Sequence, residues 1–508
     1  MKTKAILAGA LLALSTNTAL AGGILTNTNQ SVSFLKNPAR DAAIGLDGVY
    51  SNPAGVVLLP EGLHLAINWQ YAHQTRTIKS TNPLFMTGLK NNGSDTKTFE
   101  GIADAPFIPS VQAAYNKGNW SYQFNFSIPA GGGACEFDKG LGSFESAVGL
   151  IGQLLGANGY DVNGYMRGRQ YYFGFQVGTA YKIDEHWSVY GGLRALYGNA
   201  SYKARLSNIQ VVQNKQDGTT VTSNFDEFLN DKVYDLRKSI EPLQTAVSLG
   251  ADLSQQQQML LAQGEASLDL LNRLQHYSNG VNLMSNQEGF GVAPVIGVDY
   301  HIGDFNFAAK YEFNTEMKMK NRSTLERPLQ LPSSMGNFSA ISNINKFADD
   351  TEVDEDIPAM LAVGAQWSVL PNVRLNAGYH HYFDKTAHWY NDTQKQLDHD
   401  SNEYLGGVEW DASDKVNISC GFQITRYGLS DEYMNDLSFV VNSYSVGAGI
   451  SYKVADKVTL SVAYFQTNYG DYDRTTTNTN PTDGSTYETK DSFTRTNRVL
   501  GIGCQIDF

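Results

Sequence analysis

The stretch Trp120-Ser121-Tyr122-Gln123-Phe124-Asn125-Phe126-Ser127-Ile128 sets large apolar side chains at even positions and small or amide side chains at odd ones. Successive residues of a β-strand point to opposite faces, so one face here is apolar and the other polar. Leu63–Ala72 does the same, with Leu63, Leu65, Ile67, Trp69 and Tyr71 against His64, Ala66, Asn68 and Gln70. Val373–Phe383 sets Val373, Leu375, Ala377 and Tyr379 against Arg374, Asn376, Gly378 and His380. Lipid suits the first set in each case and a polar lumen the second.

Fourteen such stretches run through the chain, and the gaps between them alternate between short turns and long polar loops. The short ones are 116–119, 184–185, Gly303, 369–372, 411–414 and 454–456; the long ones include 82–107, 129–166, 207–287 and 321–356. A soluble β-sandwich also alternates. Its strands are typically about five or six residues, and its long loops are not confined to one end. The pattern predicts an all-β fold: a 14-stranded antiparallel transmembrane β-barrel, tight at one rim and elaborated at the other. An even strand number puts both chain ends on the short-turn side.

Both ends of the chain fit this reading. Residues 1–21 carry Lys2 and Lys4, an apolar run from Ala5 to Leu14, and Ala19-Leu20-Ala21, the form of a secretory signal peptide, which makes Gly22 the expected start of the mature chain. The chain closes on Leu500-Gly501-Ile502-Gly503-Cys504-Gln505-Ile506-Asp507-Phe508. An alternating strand with a terminal aromatic resembles the insertion signal of bacterial outer-membrane barrels, and implies the barrel-assembly machinery as a partner. After the signal no run of about twenty apolar residues offers a membrane helix.

The formal charge of −13 becomes −15 once Lys2 and Lys4 are removed, which argues against nucleic acid as a partner. Acidic residues gather in loops, as at Asp349-Asp350 and Asp354-Glu355-Asp356, but no spaced calcium-binding loop is present, so no metal or other cofactor is expected. Three cysteines allow at most one disulfide; Cys420 and Cys504 share parity with lipid-facing residues, and Cys135 stands in a glycine-rich stretch. No Gly-x-Ser-x-Gly elbow or His-Glu-x-x-His helix points to an enzyme.

Residues 22–60 precede the barrel (61–508) and are too few to build a core of their own. A fourteen-strand lumen is available to house them, and the segment reads as a plug. It contains Asn37-Pro38-Ala39 and, just before the first strand, Asn52-Pro53-Ala54.

That placement resembles the FadL/TodX family of outer-membrane transporters for long-chain fatty acids and other hydrophobic compounds, whose N-terminal hatch carries an Asn-Pro-Ala motif. Pro106-Phe107-Ile108-Pro109 resembles the family's proline-rich approach to the second strand. Ile357-Pro358-Ala359-Met360, followed by Gly364, resembles a strand start of the family. The resemblance spans nearly the whole mature chain, except the large loops. It implies uptake without bond-making: capture of a hydrophobic molecule, passage into a plugged barrel, and release into the membrane by a monomer working among lipid and lipopolysaccharide.

Helical insertions are expected in the extracellular loops. Phe144, Val148, Ile151 and Leu155 recur at helical spacing, with Ser143 to cap the helix and Gly156 to end it. The family's low-affinity groove lies between such helices, so these four residues are the expected apolar capture groove. The third loop repeats the spacing with Leu260, Leu261, Leu268, Leu271 and Leu274. Pro129, Gly131, Gly132 and Gly133 end the third strand, where proline removes a ladder donor and glycine permits a bend; the family has a lateral wall opening here.

A carboxylate head group needs a cation. By alternation Arg194, Lys310 and Arg374 point inward, with Lys310 placed to pair with Glu312. The resemblance singles out Arg205, then Lys203, at the outer end of the fifth strand, and Lys395 in a later loop. Two other functions stay open: a porin for polar solutes, or a surface adhesin acting through the long loops.

Overall fold

The computed structural model describes residues 24–215, 217–275, 278–325, 346–479 and 484–508. The signal-peptide expectation lies outside them. One antiparallel sheet of eighteen segments closes on itself. Four segments, Thr220–Asn224, Lys318–Ser323, Glu352–Asp354 and Tyr472–Thr479, only prolong neighbouring strands or hairpins, and 18 − 4 leaves the fourteen expected barrel strands.

These are β1 (Gly62–Thr81), β2 (Thr96–Lys117), β3 (Trp120–Phe137), β4 (Gly159–Lys182), β5 (Trp187–Asn214), β6 (Val281–Ile302) and β7 (Phe305–Glu312). The ring continues with β8 (Met360–Leu370), β9 (Val373–Tyr382), β10 (Ser401–Ser413), β11 (Val416–Arg426), β12 (Ser443–Ala455), β13 (Val458–Tyr469) and β14 (Thr486–Asp507). β1 and β14 close the ring, in register from His64↔Asp507 to Thr81↔Lys490. No helix of the described residues is long and apolar enough to cross a membrane; the crossing is made by strands.

Exposure follows the alternation. On β3, Ser121, Gln123, Asn125 and Ser127 are buried inward, while Trp120, Tyr122 and Phe124 are exposed. Rings gather at the short-turn rim: Trp120 against Tyr181, Trp187 against Tyr300 and Phe305 against Trp367. A second row, Tyr171, Phe173 and Tyr197, lies further along. The ten residue steps from Trp187 to Tyr197 on a strand tilted by roughly 40° span about 25 Å, the height of a membrane's apolar band. The molecule is therefore a multi-pass barrel of the bacterial outer membrane.

Several expected boundaries move. The strands run beyond the membrane, so the loops are shorter than polarity suggested. β2 begins at Thr96, β3 reaches Phe137, β4 starts at Gly159 and β5 ends at Asn214. Pro106–Pro109 lies inside β2 rather than at its start, and Pro129–Gly133 bends β3 without ending it. Ile128, expected on the lipid face, is buried: its backbone N–H donates to Gln30 Oε1 at 3.1 Å and it packs with Val32, Phe34 and Leu35. Cys135 lies in β3 and is buried, Cys420 is exposed and Cys504 partly exposed, all three as free thiols.

Residues 24–60 lie against the inward faces of the ring. A five-residue helix, α1 (Val32–Lys36), is capped by Ser31 and packs on β12, β13 and β14. The wall makes room by omitting side chains: a Cβ on Gly407 would stand 2.0 Å from Asn37 Oδ1. Above the ring, α2 (Gly142–Leu154) covers β4, and α3 (Phe225–Ser248) and α4 (Gln255–Gln275) form a hairpin in the third extracellular loop.

Candidate functional site

Asn52-Pro53-Ala54 is bound to the wall by three hydrogen bonds. Asn52 Nδ2 donates to Asp299 Oδ2 of β6 at 2.7 Å, and Oδ1 accepts from the Gly55 N–H at 3.2 Å. The Pro53 carbonyl accepts from Gln123 of β3 and the Ala54 carbonyl from Ser188 of β5, each at 2.7 Å. Ala54 is wholly buried. A tripeptide with two free carbonyls and one amide thus ties three strands together.

The rest of the segment is held by charge. Arg40 pairs with Asp47 within the segment and with Glu409 of β10, which Arg374 of β9 also contacts. His380 of β9 lies between Asp41 of the segment, at 2.8 Å, and Glu403 of β10, at 3.0 Å. Lys36 donates to Ser451 Oγ at 2.6 Å. Of the histidine pair, His380 faces inward and His381 outward, as alternation requires.

The expected carboxylate-binding cations are not assembled into a site. Arg194 does face inward, but Glu312 takes its guanidinium (Nη2–Oε1 3.0 Å) and Lys310 reaches Glu312 at 2.8 Å; both cations stand over the Tyr50 ring. Lys203 and Arg205 stand on the outward face. β5 alternates without a break, so positions an odd number from Arg194 face outward, and buried Tyr202, Ala204 and Leu206 occupy the inside. Lys395 is exposed on a loop and paired with Asp392.

Two inward arginines missed in the sequence come together instead. Arg76 of β1 stands directly opposite Arg495 of β14 in the closing ladder, and both are buried. Arg76 lies over the Phe439 ring and Arg495 over Tyr469, and Arg495 donates to Gln74 at 3.2 Å. The signal was available: Arg76 continues the inward set His64, Ala66, Asn68, Gln70.

Gln74 leads to the wall between β2 and β3. Their ladder holds from Val111↔Phe126 to Lys117↔Trp120 and recurs only at Ile102↔Glu136. Pro106 and Pro109 fall in the unpaired part of β2, where their missing N–H groups lose nothing on the β3 side. On β3, Gly131 and Gly133 adopt φ +92° and +74°, and a Cβ on Gly131 would lie 2.5 Å from the Gln170 carbonyl. The unpaired backbone of β3 is taken by the N-terminal segment. Asn27 N–H donates to the Pro129 carbonyl at 2.7 Å, Gly131 N–H to the Leu25 carbonyl at 3.1 Å, and Asn27 Nδ2 to the Gly131 carbonyl at 2.7 Å. A cleft lined by Ala72, Gln74, Ala103, Asp104, Ala105 and Gly132–Ala134 remains, too narrow for a water molecule.

The expected capture groove is closed. Phe144, Val148 and Ile151 are buried in the extracellular core cluster, with Leu155 packed against it, and α2 sits on β4 and β5 with Gly149 beside Tyr160 and Gly152 beside Val211. Ser143 does not cap the helix with its side chain; Asp436, from the loop after β11, accepts its N–H at 2.8 Å. Gly156 does end it, at φ +86°. Beside α2 lies a polar cavity of about 280 Å³, bordered by Ser80, Ser143, Asp436, Arg474, Thr489 and Asp491.

No family model and no curated protein matches the chain. Solved structures do. A Pseudomonas aeruginosa FadL homologue superposes with a TM-score of 0.60 at 10% identity, covering 96% of this chain and 100% of that one. The Pseudomonas putida toluene transporter TodX gives 0.51 at 11%, covering 97% and 100%. With its closed fourteen-strand antiparallel ring, this chain has the fold of the FadL/TodX outer-membrane transporters over nearly its whole length.

Proposed function

We propose that this barrel takes up hydrophobic compounds, long-chain fatty acids among them, and releases them sideways into the outer membrane between β2 and β3. The observation that carries the reading is the failed ladder between Ile102↔Glu136 and Val111↔Phe126, with residues 25–27 bonded to β3 in its place. An apolar molecule leaving there meets lipid without crossing water. Few bonds close the route on its inner side, so a shift of residues 25–27 is the opening step. Residues 24–60 act as the plug, with Asn52-Pro53-Ala54 its anchor. Capture begins at the apolar residues left open beside α2, Met86 and Leu89, and proceeds to the Phe144, Val148, Ile151 and Leu155 face when α2 lifts.

For a ligand with a carboxylate, the opposed Arg76 and Arg495 replace Arg205, Lys203, Arg194 and Lys395 as the head-group cations. The toluene transporter among the solved relatives carries a hydrophobic molecule with no head group. Either cargo makes the same demand on the wall.

A reversible staple tests the exit. The ideal Cβ of Gly133 lies 3.6 Å from the Ala105 Cβ, within disulfide range. Ala105→Cys with Gly133→Cys, with Cys135, Cys420 and Cys504 changed to Ala, should transport labelled fatty acid when reduced and stop when oxidised, while ligand binding in detergent is kept. Undiminished uptake by the oxidised form would reject the lateral route.

A further inference from the structure

Lys203 and Arg205, turned away from the lumen, join two more cations on the lipid-facing side. Arg167 of β4 stands in register with Lys203, Tyr165 with Arg205, and Arg169 with Ser201. All four cations share the outward parity of Tyr171 and Tyr197, and all lie on the extracellular side of that aromatic row: Arg169 two residues beyond Tyr171, Lys203 six beyond Tyr197. The patch runs four residues along the sheet, roughly 13 Å, starting where the apolar band ends.

Few acids answer these charges. Arg167 stands 3.9 Å from Glu136 at one edge. Arg169 donates to the neutral Asn199 at 2.7 Å, and Arg205 lies 5.6 Å over the Tyr165 ring. On β6 the residues opposite Arg205 and Lys203 are Asn282 and Met284. The next outward cations differ: Lys318 and Lys320 oppose Asp354 and Glu352, and Lys320 also bonds Asp350 at 2.8 Å. A patch with so little compensation is unusual in a chain whose formal charge is −13.

We propose that Arg167, Arg169, Lys203 and Arg205 bind the phosphate groups of lipopolysaccharide in the outer leaflet. The height is that of a lipid head group, and the charge is opposite to that of a phosphorylated disaccharide. The three guanidiniums offer paired donors to phosphate oxygens. Arg205 and Tyr165 present a cation and a ring edge to the sugar beside it. A soluble anion would not require the four cations to face lipid at one level, whereas a leaflet lipid does. The patch is separate from the lumen and does not depend on what the barrel carries.

The test uses the intact folded protein in a neutral detergent and purified Kdo2-lipid A, read by native mass spectrometry. Changing Arg167, Arg169, Lys203 and Arg205 to Gln should raise the dissociation constant by about tenfold or more and flatten its salt dependence. Lys318→Gln, Lys320→Gln and Arg322→Gln together remove nearly as much charge nearby and should leave binding unchanged. If the fourfold variant does not fold, judged by heat-modifiable mobility, Lys203→Gln with Arg205→Gln serves, since both side chains are held by no ion pair among the described residues. Equal loss in the control variant, or equal binding of phosphatidylglycerol by the wild type, would reduce the patch to general electrostatic attraction and overturn the proposal. Unchanged binding in the Gln variants would do the same.

Discussion

Asn52 uses both ends of its amide, donating to Asp299 and accepting from the Gly55 N–H. Alanine there removes one of two bonds at Asp299 Oδ2, where Asn306 keeps the other, and one of two at the Gly55 N–H, where the Asn52 carbonyl keeps the other, a loss of about 1 kcal/mol. Asn52→Ala should therefore lower the denaturant midpoint of the refolded barrel, and Asn52→Asp should lower it further by setting a second carboxylate against Asp299. An unchanged midpoint for both would show that the motif anchors nothing. At the head-group cations, Arg495→Gln should weaken binding of a fatty acid but not of its methyl ester, while Arg205→Gln affects neither; calorimetry with both ligands decides. Parity separates the two residues. Arg194 and Arg205 are eleven apart on one unbroken strand, so they cannot both face the lumen. Arg205 entered the sequence reading through the resemblance alone, without a count of its parity with Arg194. Arg76 was missed for want of a motif, although its parity with His64 and Gln70 was legible throughout.

The loop helix α2 begins where the Asp436 carboxylate meets the Ser143 N–H. Burial pushes the Asp436 carboxyl up to about 6, with Asp491 nearby adding to the rise and Arg474 opposing it. A carboxyl whose folded value exceeds its unfolded value of 3.8 takes up protons on folding, so α2 docking strengthens as pH falls from about 6 towards 4 and is weaker, but constant, above 6. Protection of the amides across Gly142–Leu154, corrected for the intrinsic base-catalysed exchange rate at each pH, should rise over that fall, and Asp436→Asn should flatten that protection profile. An identical profile in the variant would place the titrating group elsewhere. No local pattern could have announced this cap, since Asp436 lies almost three hundred residues from Ser143. The helical spacing itself was legible in Phe144, Val148 and Ile151, but periodicity shows only that a face is apolar. Whether ligand or protein covers it depends on the rest of the extracellular core cluster, to which the β4–β5 hairpin contributes Tyr160 and Val211.

For the molecule as a whole, ring closure and lumen filling are separable. The β1–β14 ladder uses backbone groups of residues 64–81 and 490–507 and none from residues 24–60. Alternation and turn rhythm therefore gave the strand number directly, and residues 22–60 were legible as the segment to fill the lumen, but the wall residues that hold them were not. The segment's bonds go mostly to side chains spread around the ring, Gln123, Ser188, Asp299, His380, Glu409 and Ser451 among them, and to the β3 backbone only at the short bend of Pro129 and Gly131. Removing residues 22–60 should accordingly leave a barrel with normal heat-modifiable mobility whose inward polar face becomes wetted. Planar-bilayer recordings should show open, ion-passing channels for the deleted form and almost none for the intact chain. The distinction is sharp because a fourteen-strand ring emptied of some forty residues holds an aqueous lumen. Equal conductance in the two forms would mean that the extracellular helices, not the N-terminal segment, close the path for ions.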